Sequence, residues 1–191
     1  VFDEPRVFAP ASVAGPISFT CTMLGFMICD DMCFSDVSDS VQESGVQILI
    51  VITGSPFDQI KEDERISLAV SRVLETDLPL IYVNQIGGQD ELVFDGASFV
   101  VCPELGNVMQ MKSFETESKV VEFFESNEGV LTTNSEEIQS KHDLKDIYDA
   151  LVLGARDYIK KNRFPGAIIG SSGGIDSALT AAIAADAIGS E

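Results

Sequence analysis

Two clusters in this chain have residue types and spacing suited to chemistry. One is Gly170-Ser171-Ser172-Gly173-Gly174-Ile175-Asp176-Ser177, entered from the apolar run Ala167-Ile168-Ile169 and followed by an almost wholly apolar helical stretch over 178–188. Strand, glycine turn and helix is an arrangement that cradles phosphate. Glycines let the backbone come close, and successive N–H groups converge on the anion. A plain turn would not need two serines and an Asp beside its glycines. The lysine of the GxxxxGK[ST] loop is missing, so the pattern is a different one. The other cluster is Cys29, which follows the apolar run 23–28 without a gap and precedes Asp30-Asp31. A thiol at a strand-to-helix elbow sits beside backbone N–H groups that can stabilise a thiolate and later an oxyanion.

The elements that must position these residues alternate in type over the first ~125 residues, as α/β chains do. Strands are predicted at 23–28, 47–53 and 79–83, with helices between them over 36–44 and around Ile66, Ala69, Val70, Val73 and Leu74, one helical face. Strands joined through helices run parallel, so their carboxyl ends share one edge, where Cys29, Ser55 and Asn84 converge. A hairpin is predicted from 99–102 and 108–112. Residues 115–141 are acidic and poor in periodic apolar residues, which reads as a linker or surface excursion. Leu144, Ile147, Tyr148, Leu151, Ala155, Tyr158 and Ile159 then form a helical stripe that ends by Pro165. Only fourteen residues follow Ser177, too few for the several strands of a nucleotide-binding sheet, and Val1 is not a Met. The chain is expected to be a window of a longer protein.

Composition narrows the class. An apolar fraction of 45% fits a globular protein, and no apolar run reaches the ~18–20 residues of a membrane span. A formal net charge of −19 repels nucleic acid and anionic membrane, which excludes both as primary partners. Cys21, Cys29, Cys33 and Cys102 show no zinc spacing, so reduced thiols and a cytoplasmic location are expected. Cys21 and Cys102 read as packing units. Cys33 would share a helix face with Cys29, and His142, the only histidine, sits in the linker with no chemistry assigned.

The order Ser-Gly-Gly-x-Asp-Ser resembles the pyrophosphate loop of the ATP pyrophosphatase family. Taken with residues 1–8 (VFDEPRVF), Cys29-Asp30-Asp31-Met32, Gly54-Ser55-Pro56-Phe57 and residues 79–98 (PLIYVNQIGGQDELVFDGAS), it resembles the glutamine-dependent NAD synthetase family. The resemblance spans nearly the whole chain. It implies the later half of a nitrilase-like α-β-β-α sandwich over 1–125, a linker over 126–141, and over 142–191 the start of a Rossmann-like ATP pyrophosphatase domain. Cys29 would be the glutaminase nucleophile, with the Asp30 N–H as oxyanion donor. Ser55 and Lys61 would bind glutamine. Gly170, Ser171, Ser172, Gly173, Gly174, Ile175, Asp176 and Ser177 would wrap the ATP pyrophosphate, Ser172 and Ser177 adding hydroxyls and Asp176 ligating Mg²⁺. The partners implied are glutamine, deamido-NAD and ATP, in a homo-oligomer of the full-length parent. Ammonia from glutamine would amidate adenylated deamido-NAD to NAD. Residues 87–91 (GGQDE) match a segment that shapes the contact between the two domains.

The chain departs from the family pattern in one place. Cys29-Asp30-Asp31-Met32-Cys33 stands where the family has Cys-Glu-Asp-x-Trp, which shortens an acidic arm and removes a large packing surface. The family's Glu base and Lys lie upstream of Val1, and Glu4 is not that base, so residues 1–191 alone are expected to be inactive. Two other readings stand beside this one. The first is a nitrilase-type amidase fused to another ATP pyrophosphatase; the second is a non-catalytic relative.

Overall fold

Strands form where β-branched and apolar residues run together, because such side chains pack well on a pleated surface. The computed structural model, which describes residues 6–9, 11–104, 106–126, 129–134 and 143–189, turns these runs into one six-stranded sheet. A short β1 (Ile17–Phe19) pairs antiparallel with β2 (Thr22–Ile28). β3 (Ile48–Thr53) and β4 (Leu80–Asn84) extend the sheet in parallel with β2, as the helical crossovers require. Those crossovers are α1 (Ser35–Glu43) and α2 (Lys61–Thr76). After β4 the chain makes a separate two-stranded ribbon, β5 (Ile86–Gln89) and β6 (Leu92–Asp95). It then rejoins the sheet with the hairpin β7 (Phe99–Cys102) and β8 (Gly106–Gln110), both antiparallel. The predicted strand, helix and hairpin positions hold to within a few residues. The β5–β6 ribbon was not foreseen.

Alternation fixes which residues face the helices. Met27, Leu49, Val51, Leu80 and Phe99 point to one side and pack against Val41 of α1 and Ala69 and Val73 of α2, all nearly inaccessible. Tyr82 stacks on Phe99 with ring centroids 4.6 Å apart. Burying each such side chain contributes about 1.5–3 kcal/mol, so this cluster holds the parallel edge rigid. Val100, Cys102 and Met109 form a second cluster, and Val121 and Phe123 pack on it. Residues 115–141 are therefore not a bare linker. Part of that segment packs against the sheet, and β9 (Phe124–Glu125) pairs with β10 (Leu131–Thr132). His142 and residues 135–141 lie outside the described residues, as do Glu4 and the rest of 1–5.

The helical stripe is α3 (Asp143–Lys161). It stops through paired bonds, Arg163 N to Lys160 O (3.0 Å) and Phe164 N to Ile159 O (3.0 Å), around Arg163 in a left-handed conformation at φ 58°. Residues 167–169, expected as a strand, form no element and are unpaired, and Ile168 is fully exposed. A strand needs a neighbour for its N–H and C=O groups, and none borders this segment among the described residues. α4 (Ile175–Ile188) follows and packs on α3, where Tyr148 Oη donates to Asp186 Oδ2 (2.6 Å) and Arg156 Nε donates to the Ala187 carbonyl (3.3 Å). Among the described residues no helix is long and apolar enough to cross a membrane.

Candidate active site

Cys29 is placed by register before any side-chain contact is considered. Ile28 pairs with Ile52 and Thr53 with Asn84, so Cys29, Thr53 and Asn84 stand in a row at the carboxyl ends of β2, β3 and β4. Cys29, Thr53, Tyr82 and Asn84 also share the helix-facing parity of Met27 and Val51. Cys29 itself turns left-handed, φ 50°, a conformation that costs a non-glycine residue about 1–2 kcal/mol. That turn ends the strand sharply and opens a 3₁₀ helix, Cys29–Cys33. The Ile28 N–H donates to Asp31 Oδ2 (2.9 Å), which pins the elbow and gives Asp31 a structural role. The Thr53 hydroxyl donates to Cys29 Sγ (3.6 Å), and the Cys29 thiol has Asp30 Oδ1 at 3.8 Å.

The elbow opens on a cavity of about 690 Å³. Cys29, Asp30, Ser55 and Lys61 all line it, so the structure brings these four expected residues together. Leu68, Leu92 and Phe94 supply apolar wall, and Glu64 adds a carboxylate one helical turn after Lys61. Such a cavity, mostly apolar with a few convergent polar groups, suits a small polar substrate.

Behind Ser55 lies a buried polar network that sequence reasoning missed. Arg65 (7% exposed) forms a two-pronged ion pair with Asp95 (3% exposed), its Nη1 lying 3.0 and 2.9 Å from the two carboxylate oxygens. Its Nε donates to Ser55 Oγ (3.0 Å), and its Nη2 donates to the carbonyls of Ser55 (3.2 Å) and Pro56 (2.8 Å). Asn84 completes the cradle: its Oδ1 accepts from Ser55 N (3.0 Å), and its Nδ2 donates to Asp95 Oδ1 (3.2 Å). Every donor of this pair that could be satisfied locally is matched, which a buried charge requires. The signal was present in the sequence: Arg65 lies four residues before Ala69 and eight before Val73, on the apolar stripe of α2.

Two titrating groups at the site are displaced. Burial pushes the Tyr82 hydroxyl up, and the Thr53 and Ser55 hydroxyls beside it pull it part of the way back. Partial burial raises the Cys33 thiol, the Asp30 and Cys29 charges act in the same direction, and Arg72 opposes them.

The second expected cluster is the loop that enters α4. Gly173 is left-handed, φ 83°, and Gly174 caps the helix. The loop closes on itself: Ser172 N donates to Ser177 Oγ (3.3 Å), Gly174 N to Ser172 Oγ (3.4 Å), and Ser177 Oγ to the Gly174 carbonyl (3.0 Å). Gly170, Ser171 and Ile175 stand open to solvent, and Asp176 lies in the first helical turn. Amides, hydroxyls and one carboxylate at a helix start are a donor set that fits a polyphosphate carrying Mg²⁺, which takes one or two protein carboxylates beside phosphate oxygens.

The carbon-nitrogen hydrolase family model matches residues 2–122, and the NAD synthase model matches residues 147–191. Among curated proteins, the glutamine-dependent NAD⁺ synthetase of Rhodobacter capsulatus is 39% identical over 99% of this chain and 34% of its own length. That of Acinetobacter baylyi is 35% identical over 100% of this chain and 35% of its own length. Among solved structures, glutamine-dependent NAD⁺ synthetase from Acinetobacter baumannii in complex with ADP superposes with a TM-score of 0.88 at 35% identity, covering 99% of this chain and 36% of that one. A nitrilase-superfamily amidase from Nesterenkonia AN1 superposes with a TM-score of 0.50 at 27% identity, covering 57% and 41%. The chain spans about a third of the length of the curated relatives it matches.

Proposed function

The chain belongs, over residues 2–122, to the carbon-nitrogen hydrolase family, and from that premise we propose that it is part of a glutamine-dependent NAD⁺ synthetase. Residues 1–125 are the later half of its glutaminase domain, 126–141 the connection, and 142–191 the opening of its synthetase domain. One observation carries the reading: Cys29, at the left-handed end of a parallel strand, shares a cavity with Ser55 and Lys61, while the same chain carries a phosphate-type loop.

In the first half-reaction Cys29 Sγ attacks the side-chain amide carbon of glutamine. The tetrahedral oxygen is held by backbone amides of the elbow, Asp30 N among them. Collapse breaks the C–N bond, releases ammonia and leaves a γ-glutamyl thioester, which water hydrolyses to glutamate and free thiol. The proton transfers fall to a Glu and a Lys upstream of Val1. Ser55 and Lys61 hold the α-substituents of glutamine.

In the second half-reaction the carboxylate of deamido-NAD attacks the α-phosphorus of ATP and releases pyrophosphate. Ammonia then displaces AMP from the adenylate to give NAD. Gly170 to Gly174 receive the pyrophosphate on backbone N–H groups, and Ser172 and Ser177 contribute hydroxyls. Asp176 would hold Mg²⁺, which would neutralise phosphate charge there. The parent protein is a cytoplasmic homo-oligomer with reduced thiols.

The test is NAD formation by the full-length protein from deamido-NAD and Mg-ATP, with glutamine and ammonia supplied in parallel. Product from both sources is expected. Product from neither, in folded protein, overturns the proposal, and a different acid amidated in place of deamido-NAD redirects it to another ATP-dependent amidotransferase.

A further inference from the structure

Thr53 has a role that neither the motif positions nor the nucleophile itself accounts for. It ends β3 directly beside Cys29, it is only 8% exposed, and its hydroxyl donates to Cys29 Sγ at 3.6 Å. A threonine at the end of a buried strand would be replaceable by valine if it only filled space. Here its hydroxyl donates to the Cys29 sulfur, while Met32 and Cys33 of the same elbow line the cavity without that bond.

We propose that Thr53 is a catalytic residue of glutamine hydrolysis, its hydroxyl fixing the Cys29 sulfur for attack and donating to it while it carries negative charge. The role rests on Cys29 being the glutaminase nucleophile. Charge appears on that sulfur twice, before attack and again when the thioester collapses. Each time a neutral donor already in place stabilises it without solvent rearrangement. Thr53 gives up no proton in either step: the thiol proton leaves to the general base, and the hydroxyl keeps its own. Tyr82, buried on the same face of the sheet one strand away, packs beside this end of β3. The charged groups that line the same cavity are Asp30 on the 3₁₀ helix and Lys61, Glu64 and Arg65 on α2, Arg65 being held by Asp95 and Ser55, and none of them is a neutral donor.

The experiment uses full-length protein carrying Thr53→Val, which keeps the shape and removes the hydroxyl, and Thr53→Ser, which keeps the hydroxyl. Steady-state glutamine hydrolysis is measured with ammonia-driven NAD formation alongside, together with the iodoacetamide alkylation rate of the Cys29 peptide read by mass spectrometry. Thr53→Val is expected to lower kcat by about tenfold with KM little changed and to slow Cys29 alkylation, less than the loss of an oxyanion donor costs because a hydroxyl-to-sulfur bond at 3.6 Å is weaker. Thr53→Ser is expected to restore most of both. The role is overturned if Thr53→Val stays within twofold of wild type, if serine does no better than valine, or if ammonia-driven synthesis falls equally. Glutamine use that survives Cys29→Ala overturns the underlying reading instead, and the role of Thr53 falls with it.

Discussion

Gly88 of β5 and Gly154 of α3 meet backbone to backbone: a Cβ on Gly88 would lie 3.1 Å from the Gly154 Cα, and one on Gly154 would lie 3.0 Å from Val93 Cγ2. Asp157 Oδ2 accepts from Gly88 N (2.8 Å), and Lys161 Nζ donates to the Gly88 carbonyl. Glycine suits both sides because a side chain on Gly88 would press on the helix backbone and one on Gly154 on a Val93 methyl. The same ribbon is a wall of the cavity, since Leu92 and Phe94 line it while Val93, between them, faces α3. Gly154→Val should therefore cost about 1–3 kcal/mol by overpacking. In the full-length protein it should raise the KM for glutamine several-fold while sparing ammonia-driven synthesis. Equal loss with both nitrogen sources would show the contact to be only structural.

Cys29→Ala should leave ammonia-driven NAD formation within about twofold of wild type and reduce glutamine-driven formation by 10³-fold or more, the scale on which removing a nucleophile acts. Parallel assays with the two nitrogen sources check this. Loss of both in folded protein would contradict the division of labour.

Asp176→Ala should remove NAD formation from glutamine and from ammonia alike, because it acts on the step the two sources share. Glutamine hydrolysis, followed as ammonia release, is the control and should persist. Raised Mg²⁺ should recover part of the lost activity if the carboxylate holds that ion.

Asp95→Ala would leave the Arg65 guanidinium buried without its partner, and breaking such a pair costs about 3–5 kcal/mol. Urea denaturation of the full-length protein measures the loss. Pairing Asp95→Leu with Arg65→Met should recover much of that stability yet leave glutamine KM raised, because Ser55 Oγ loses its Arg65 donor.

Much of the scaffold was legible because its signals are local. The runs that became β2, β3 and β4 are β-branched and separated by one-sided helices, so parallel pairing and a shared carboxyl edge followed. Cys29 and the 170–177 loop were found by their place at element ends. The β5–β6 ribbon was hidden because Gly87 and Gly88 weaken the strand signal, and only their close approach to α3 explains them. Asp95 was invisible for a different reason: its partner Arg65 is thirty residues away, and a buried ion pair leaves no periodic trace. The 167–169 segment misled because hydropathy reports willingness to pair, while a strand also needs a neighbour.

The left-handed backbone at Cys29 also bears on thermal behaviour. Alanine and cysteine both carry a Cβ and meet the same steric penalty at φ 50°, whereas glycine does not. Two variants that lack the thiol, Cys29→Ala and Cys29→Gly, should thus differ in melting temperature, with glycine the more heat-resistant by an amount equivalent to at most about 1 kcal/mol after its greater unfolded-chain entropy is counted. That difference would read directly how much robustness the nucleophile's posture consumes.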